Sequence, residues 1–418
     1  MILTNEQKAI LEGKHGAFPA KCLKWLVDWG EVMGAERLVR VENTMPAYLS
    51  APCHTLKGAS PTQVEEYLHF IGEFCAQPVT CIATSHIARF DFDDPALMDA
   101  GPDQLAAQQK LIDLALDAGI TLTWTCTPYL AGNVPQKGQI CAWTESHAVV
   151  YINSFLGART TRNSGETALA AAITGFVPEF GALLNEGRRA DLLIDVTVEP
   201  KSDLDWGVLG YFAGKHANIR TPAFRGLGPC RIEAAKQLCA GVATTGGSTM
   251  LHIIGVTPEA PSEEAVFRNG TPKEVYNFGP EEMRTVRETY AGGPGQPVDV
   301  VYFGCPHASL QEIVEIAQLI RGRHVHAGLQ LLIATNYGLK AFAKRLGFAQ
   351  VIEEAGGKLM VDTCPLQAPY LDRFRAWKCM ASNAVKQVHY ARAILGCQAI
   401  LGTTEECIQA AVTGRWAG

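Results

Sequence analysis

Three cysteines share one unusual context. Cys126 ends the segment ITLTWTCT ahead of Thr127-Pro128-Tyr129, Cys305 ends VDVVYFGC ahead of Pro306-His307, and Cys364 ends KLMVDTC ahead of Pro365. Each segment reads as a strand, and a proline within two residues stops a ladder and turns the chain. Open α/β sheets place their ligands at the carboxyl ends of strands. Three thiolates converging there can hold an iron–sulfur cluster, or a single metal ion with one position left open for Lewis-acid chemistry. The same residues also read as buried cysteines at strand ends, because none belongs to a C-x-x-C pair. The other ten (Cys22, Cys53, Cys75, Cys81, Cys141, Cys230, Cys239, Cys379, Cys397 and Cys407) read as packing residues.

A second constellation lies in WTESHAVVYINSFLGARTTRNSGETALAAAITG, Trp143–Gly175. Asn153, Ser154, Arg159, Thr160 and Arg162 precede a helix start, where two guanidinium forks, several hydroxyls and a helix dipole can hold an anionic substrate. The competing reading is a solvated turn with surface arginines. Three signals are weaker. His324–His326 presents two imidazoles with alternate spacing. Thr244–Thr249 (TTGGST) is glycine-rich but lacks the lysine of a phosphate loop and the dinucleotide spacing. Cys53-His54 has no third partner placed by the sequence.

The elements that must position these groups follow from pattern and punctuation. Thr4 and Gln7 form a capping box for a helix from Asn5 to about Gly13. Further helices are expected over Ala20–Gly34, Pro61–Ala76, Gln104–Ala118 and Gly165–Gly175. Strands are expected over Val79–Thr84, Ile120–Thr127 and Ala148–Asn153. In the last third, VDVVYFGC precedes a helix Ser309–Ile320, LQLLIAT precedes a helix Gly338–Ala355, and KLMVDTC precedes further helix from Ser382 onward. That alternation is the signature of a parallel sheet covered by helices. A proline-rich stretch near 257–297 divides possible lobes 1–290 and 291–418. No internal repeat stands out.

The 418-residue composition excludes several classes. With 36 basic and 42 acidic side chains the net charge is −6, and no Lys/Arg run provides a basic face for nucleic acid. Apolar residues are 47% and charged residues 19%, a globular balance. No apolar stretch reaches the ~18 residues of a membrane span, and the N-terminus has no signal-peptide core. A cytoplasmic α/β protein is the expectation.

On the segments LTNEQKAILEGKHG, TCTPYLAGNVPQKGQICAWTESHAVVYINSFLGARTTR, GCPHASLQEI, DTCP, SNAVKQVHYA and TTEECIQAAVTGRW, the chain resembles the large subunit of the aconitase X family. The resemblance runs from Leu3 to Trp416. It implies an aconitase-type α/β/α body with parallel sheets, lacking the swivelling small domain, and a hydro-lyase that removes water from a hydroxylated carboxylate. Bacterial members are similar to cis-3-hydroxy-L-proline dehydratase, which forms Δ1-pyrroline-2-carboxylate; archaeal members resemble phosphomevalonate dehydratase. The family's iron ligands fall on Cys126, Cys305 and Cys364, with a [2Fe-2S] cluster expected and a mononuclear iron or [4Fe-4S] cluster as alternatives. A small swivelling-domain subunit of roughly 130–150 residues is the implied partner, and a serine from it is expected to act in the chemistry, so this chain alone is expected to be inactive. His147 in ESHA and the segment Asn43–Ala59 depart from the usual family text.

The expectation is therefore the large subunit of a cis-3-hydroxy-L-proline dehydratase. Its iron site is Cys126, Cys305 and Cys364. Asn153, Ser154, Arg159, Thr160, Arg162, His147 and Lys386 contact a small carboxylate substrate, and the base is unassigned. Phosphomevalonate dehydration is the alternative within the family. A zinc-dependent lyase or hydrolase on the same thiolates, and a non-enzymatic iron-sensing RNA binder, are the rivals outside it; the −6 charge counts against the latter.

Overall fold

A computed structural model of the chain describes residues 1–46, 61–267, 270–367 and 371–418. Cys53, His54 and most of Asn43–Ala59 lie outside the described residues. The strand–helix alternation of the last third forms a five-stranded, all-parallel sheet. Its order is Gly357–Val361, Gln330–Thr335, Val300–Phe303, Cys379–Ser382, Gln398–Leu401. Period-two alternation sends Val301, Phe303, Leu331, Ile333 and Ile400 to one face, against the helices Leu310–Ile320, Phe348–Glu354 and Thr404–Thr413. Val300, Tyr302, Leu332, Ala334, Met360 and Met380 face the opposite way, into the largest core. Both faces are covered, as a parallel sheet requires. The expected helix over Gly338–Ala355 is two helices, Tyr337–Arg345 and Phe348–Glu354, separated where Gly347 takes φ +80°.

The middle third supplies a second parallel sheet, in the order His252–Ile253, Pro222–Arg225, Leu192–Val196, Glu274–Phe278. The stretch near 257–297 thus contributes an edge strand, followed by the helix Pro280–Glu288. Two helices of this third, Asp203–Ala217 and Ile232–Thr245, pack backbone to backbone. A Cβ on Gly241 would stand 2.3 Å from the Gly207 carbonyl oxygen, and one on Gly210 2.2 Å from that of Leu238. Only glycine permits that approach.

The first third carries a small parallel sheet of Ile82–Ala83, Asn43–Met45 and Cys141–Trp143, and an antiparallel pair, Leu38–Arg40 with Phe176–Pro178. The helices Ala17–Val32, Pro61–Cys75, Pro102–Asp117 and Gly165–Thr174 gather beside them. The Thr4/Gln7 capping box is formed.

Two expected strands are not strands. Ala148–Asn153 lies in the helix Ser146–Tyr151 and its π-helical continuation Ile152–Leu156. Its residues are buried on all sides, and a short run that is apolar throughout carries no periodicity to separate buried strand from buried helix. Ile120–Thr127 makes a single isolated bridge at Thr121 and then leaves extended geometry at Trp124, φ +41°. Of the expected Val79–Thr84 strand only Ile82–Ala83 forms a strand, and Thr84 makes the isolated bridge to Thr121.

Candidate active site

The three cysteine segments converge on one cavity of about 380 Å³, whose wall includes Cys126, Cys305 and Cys364. Each thiol follows a backbone turn into the left-handed region: Trp124 at φ +41°, Gly304 at φ +93° and Asp362 at φ +65°. Such conformations carry about 1–3 kcal/mol of strain at non-glycine residues and persist where the surroundings enforce them. At Gly304 a Cβ would lie 2.1 Å from the Ala334 carbonyl oxygen, so glycine is required between the strand Val300–Phe303 and Cys305. Cys305 and Cys364 follow strand ends as expected, whereas Cys126 arrives from irregular chain.

Beneath Cys305, the buried Lys236 ammonium donates to the Pro306 and His307 carbonyls at 3.3 and 3.0 Å and is paired with Glu312. Glu312 also accepts from the Ser309 amide at 2.7 Å, at the cap of the helix Leu310–Ile320. These bonds fix the turn that carries the thiol.

The same cavity is lined by a carboxylate that sequence reasoning missed. Glu145 lies at the N-terminus of the helix Ser146–Tyr151. Its Oε1 accepts from Lys386 Nζ at 2.6 Å and His147 Nδ1 at 2.9 Å, and its Oε2 from His86 Nε2 at 2.8 Å. Burial alone would raise the Glu145 carboxyl; the Lys386 ammonium and the two imidazole hydrogen bonds outweigh it and hold the group well below the usual carboxylate range. Burial opposes charge on Lys386 too, but Glu145 and the nearby thiols raise it, so the ammonium is kept. His147 is fully buried and pushed down to about 4 by that burial, and is neutral near pH 7. Because Glu145 can only accept, the His147 proton sits on Nδ1, leaving Nε2 buried without a partner.

Glu145 and Lys386 arrive by the same local plan, a repeat the sequence reading did not find. Each lies at the start of a one-turn helix, Ser146–Tyr151 or Val385–Tyr390. Each helix continues as a π-helical turn, Ile152–Leu156 or Ala391–Leu395, and closes on a left-handed glycine, Gly157 or Gly396. Irregular helical turns of this kind recur at functional sites.

The other expected substrate contacts fall elsewhere. His147, Asn153, Ser154, Arg159 and Thr160 are not among the residues lining the cavity, His147 reaching it only through Glu145. The Asn153 side-chain amide donates to the Thr160 and Thr249 carbonyls, and Ser154 Oγ accepts from the Leu251 amide at 2.9 Å. Thr160 Oγ1 donates to the Thr161 carbonyl, and Arg159 donates to the Leu183 carbonyl and Asn185 Oδ1. The expected loop is a helix end, so these side chains join elements instead of facing a ligand. Arg162 does not line the cavity: it donates to the Ser248 carbonyl at 3.4 Å, its Nε is buried without a partner, and burial lowers its pKa against the opposing pull of Glu145. His324 and His326 are exposed in a loop, and Thr244–Thr249 ends the helix Ile232–Thr245.

The donor set bears directly on what the cavity can hold. Burial raises all three thiols, Cys126 well above the ordinary value, Cys305 to about 12 and Cys364 to about 11, so a bound metal must displace their protons. Among the described residues no three His, Cys, Asp or Glu side chains close on a single metal ion. Three soft thiols lining one cavity are donors of the kind that iron–sulfur groups use. The Tyr302 hydroxyl, buried and without a partner, lines the same wall beside the three thiols. A buried donor left unpaired in this way fits a site whose acceptor is a bound group.

The comparisons agree with this architecture. Family models described as the aconitase X first, second and third domains match residues 1–186, 190–288 and 298–413. The phosphomevalonate dehydratase large subunit of Thermococcus kodakarensis is 34% identical over 94% of this chain and 95% of its own length. The cis-3-hydroxy-L-proline dehydratase of Pseudomonas aeruginosa is 30% identical over 98% of this chain and 69% of its own length. The crystal structure of Thermococcus kodakaraensis aconitase X in its holo-form superposes with a TM-score of 0.84, at 32% identity, covering 98% of this chain and all of that one. With three consecutive domain models matched and the fold reproduced, this chain belongs to the aconitase X family of dehydratases.

Proposed function

We propose that this chain is the large subunit of a hydro-lyase acting on a small 3-hydroxylated amino acid, cis-3-hydroxy-L-proline, to give Δ1-pyrroline-2-carboxylate. The observation that carries the reading is the shared cavity, lined both by the three cysteines and by the Glu145–Lys386 pair. Cys126, Cys305 and Cys364 hold an iron–sulfur group, of the [2Fe-2S] type. When bound, that group supplies a Lewis acid for the leaving hydroxyl. Lys386 keeps its proton on Nζ and offers positive charge to the substrate carboxylate, with Glu145 fixing the ammonium. Since His86 Nε2 donates to Glu145, the ring's lone pair lies on Nδ1, and His86 is the group on this wall suited to accept a proton. A small subunit of roughly 130–150 residues completes the site and adds a serine. The thirteen cysteines, scattered without the regular spacing of a disulfide framework, favour a cytoplasmic setting.

Phosphomevalonate is the second reading, favoured by identities of 34% and 32% to large subunits so named, the latter from Methanocaldococcus jannaschii. Charge on the wall favours the amino acid. Lys386 and His86 are engaged by Glu145, and Arg89 by Gln367; a carboxylate shares Lys386 with Glu145 at one unit of negative charge, whereas a phosphate brings roughly −1.5 to −2 to the same carboxylate. The test is the full chain with its small subunit, anaerobically purified and offered each substrate separately, with iron and acid-labile sulfide measured for wild type and Cys126→Ala. Dehydration of hydroxyproline, lost with the iron in the mutant, is expected. Turnover of phosphomevalonate alone installs the second reading, and zinc or no metal refutes the mechanism.

A further inference from the structure

His307 touches all three cysteine segments at once. It lies two residues after Cys305, and its backbone amide donates to Cys126 Sγ at 3.3 Å. Its Nδ1 lies 3.0 Å from Thr125 Oγ1, next to Cys126, and its Nε2 lies 3.2 Å from the Thr363 carbonyl oxygen, next to Cys364. A carbonyl only accepts, so the ring proton sits on Nε2 and Nδ1 accepts from the Thr125 hydroxyl. Thr125 Oγ1 in turn accepts from the Thr127 amide at 3.1 Å, which fixes that hydroxyl's orientation. The imidazole is fully buried, so neither bond is exchanged with water.

We infer that His307 is a positioning residue for the iron site, one neutral imidazole that holds the Cys126, Cys305 and Cys364 segments in the register a shared group needs. The inference rests on the reading that these thiols bind iron. The sheet sets the strands that lead to Cys305 and Cys364, but Cys126 arrives from outside it, and the last residues before Cys126 and Cys364 include left-handed backbone at Trp124 and Asp362. A hydrogen-bonded side chain bridging them limits the freedom that ligand binding would otherwise have to remove. Outer-shell groups of this kind usually change metal affinity about 10-fold to 100-fold when lost.

The experiment compares the full wild-type chain with Thr125→Val, Thr125→Ser, His307→Gln and Cys126→Ala after anaerobic iron and sulfide reconstitution. It reads iron and sulfide per chain, the visible circular dichroism of the bound group, and the rate at which a chelator removes iron. Far-ultraviolet circular dichroism checks that each chain is folded. Thr125→Val and His307→Gln are expected to lose iron about tenfold faster or more, with an altered visible spectrum, while Thr125→Ser, which keeps the hydroxyl, behaves as wild type. Should His307→Gln fail to fold, the Val/Ser pair at Thr125 still decides. Wild-type spectra and rates in folded Thr125→Val or His307→Gln overturn the positioning role while leaving the iron site intact. A Thr125→Ser variant as impaired as Thr125→Val also overturns it. A wild-type chain that takes up no iron, or a Cys126→Ala chain that takes up as much, overturns the underlying reading and this inference with it.

Discussion

Replacing Lys386 with methionine removes the ammonium while keeping an unbranched apolar stem of similar size. It leaves Glu145 buried with two imidazoles. The side chains of Lys386 and Glu145 are 13% and 12% exposed, and their charged atoms stand 2.6 Å apart. At an effective dielectric constant near 20 that separation corresponds to roughly 6 kcal/mol of attraction, which desolvation of the two ions largely offsets. The intact pair therefore adds little net stability, but breaking it exposes the full penalty of a buried, uncompensated charge, about 3–5 kcal/mol. Lys386→Met should lower the unfolding free energy of the metal-free chain by that amount in urea titrations at neutral pH. The double variant Lys386→Met/Glu145→Gln, in which the amide oxygen replaces Oε1 as acceptor from His147 and the amide NH2 replaces Oε2 and donates to the other tautomer of His86, should be more stable than the sum of the two single losses predicts, with about 1–3 kcal/mol of coupling. The electrostatics make a second demand. Lys386 lowers the His147 pKa and Glu145 raises it, so His147 should titrate above its present value of about 4 once the ammonium is gone. A Lys386→Met chain within about 1 kcal/mol of wild type, or losses that simply add, would refute the buried-pair argument.

Two further outcomes follow from local geometry. Burial places the folded-state pKa of His147 near 4, below the ordinary 6.5, so the folded chain keeps this imidazole neutral while the unfolded chain takes up a proton. Its contribution is therefore present above pH 6.5 and is lost as pH falls from 6.5 toward 4. At 1.36 kcal/mol per unit this amounts to about 3 kcal/mol, read as the difference between wild type and His147→Gln in stability against pH, and parallel curves would contradict it. In the middle third, Gly241→Ala drives a methyl group into the Gly207 carbonyl oxygen and should cost about 1–3 kcal/mol, seen as a lower thermal midpoint. An unchanged midpoint would show that the two helices can separate at no expense.

What was legible in the chain depended on whether the informative residues were neighbours. The parallel sheet of the last third shows in the sequence because each strand and the helix after it are adjacent. The three cysteines show because a proline follows each within two residues. Glu145 did not show, since a carboxylate becomes a hub only through partners 59 and 241 residues away. Its helix was read as a strand for the same reason, because burial on every side is a tertiary fact and erases the period that separates the two. The middle third was silent although Ser202 and Asp205 form a capping box at its first long helix, a signal that was available. A repeat was available as well: Tyr151 and Tyr390 each precede a left-handed glycine by six residues, Gly157 and Gly396, with Glu145 and Lys386 one helical turn or more upstream. Comparing those two stretches with each other, and not with a motif, aligns Lys386 with His147 and Ala384 with Glu145, so both charges of the cavity fall at the starts of matching helices. The site's polar half is built from two copies of one turn, whereas its thiol half comes from three unlike segments, and that asymmetry is why the thiol half needs a bridging side chain such as His307.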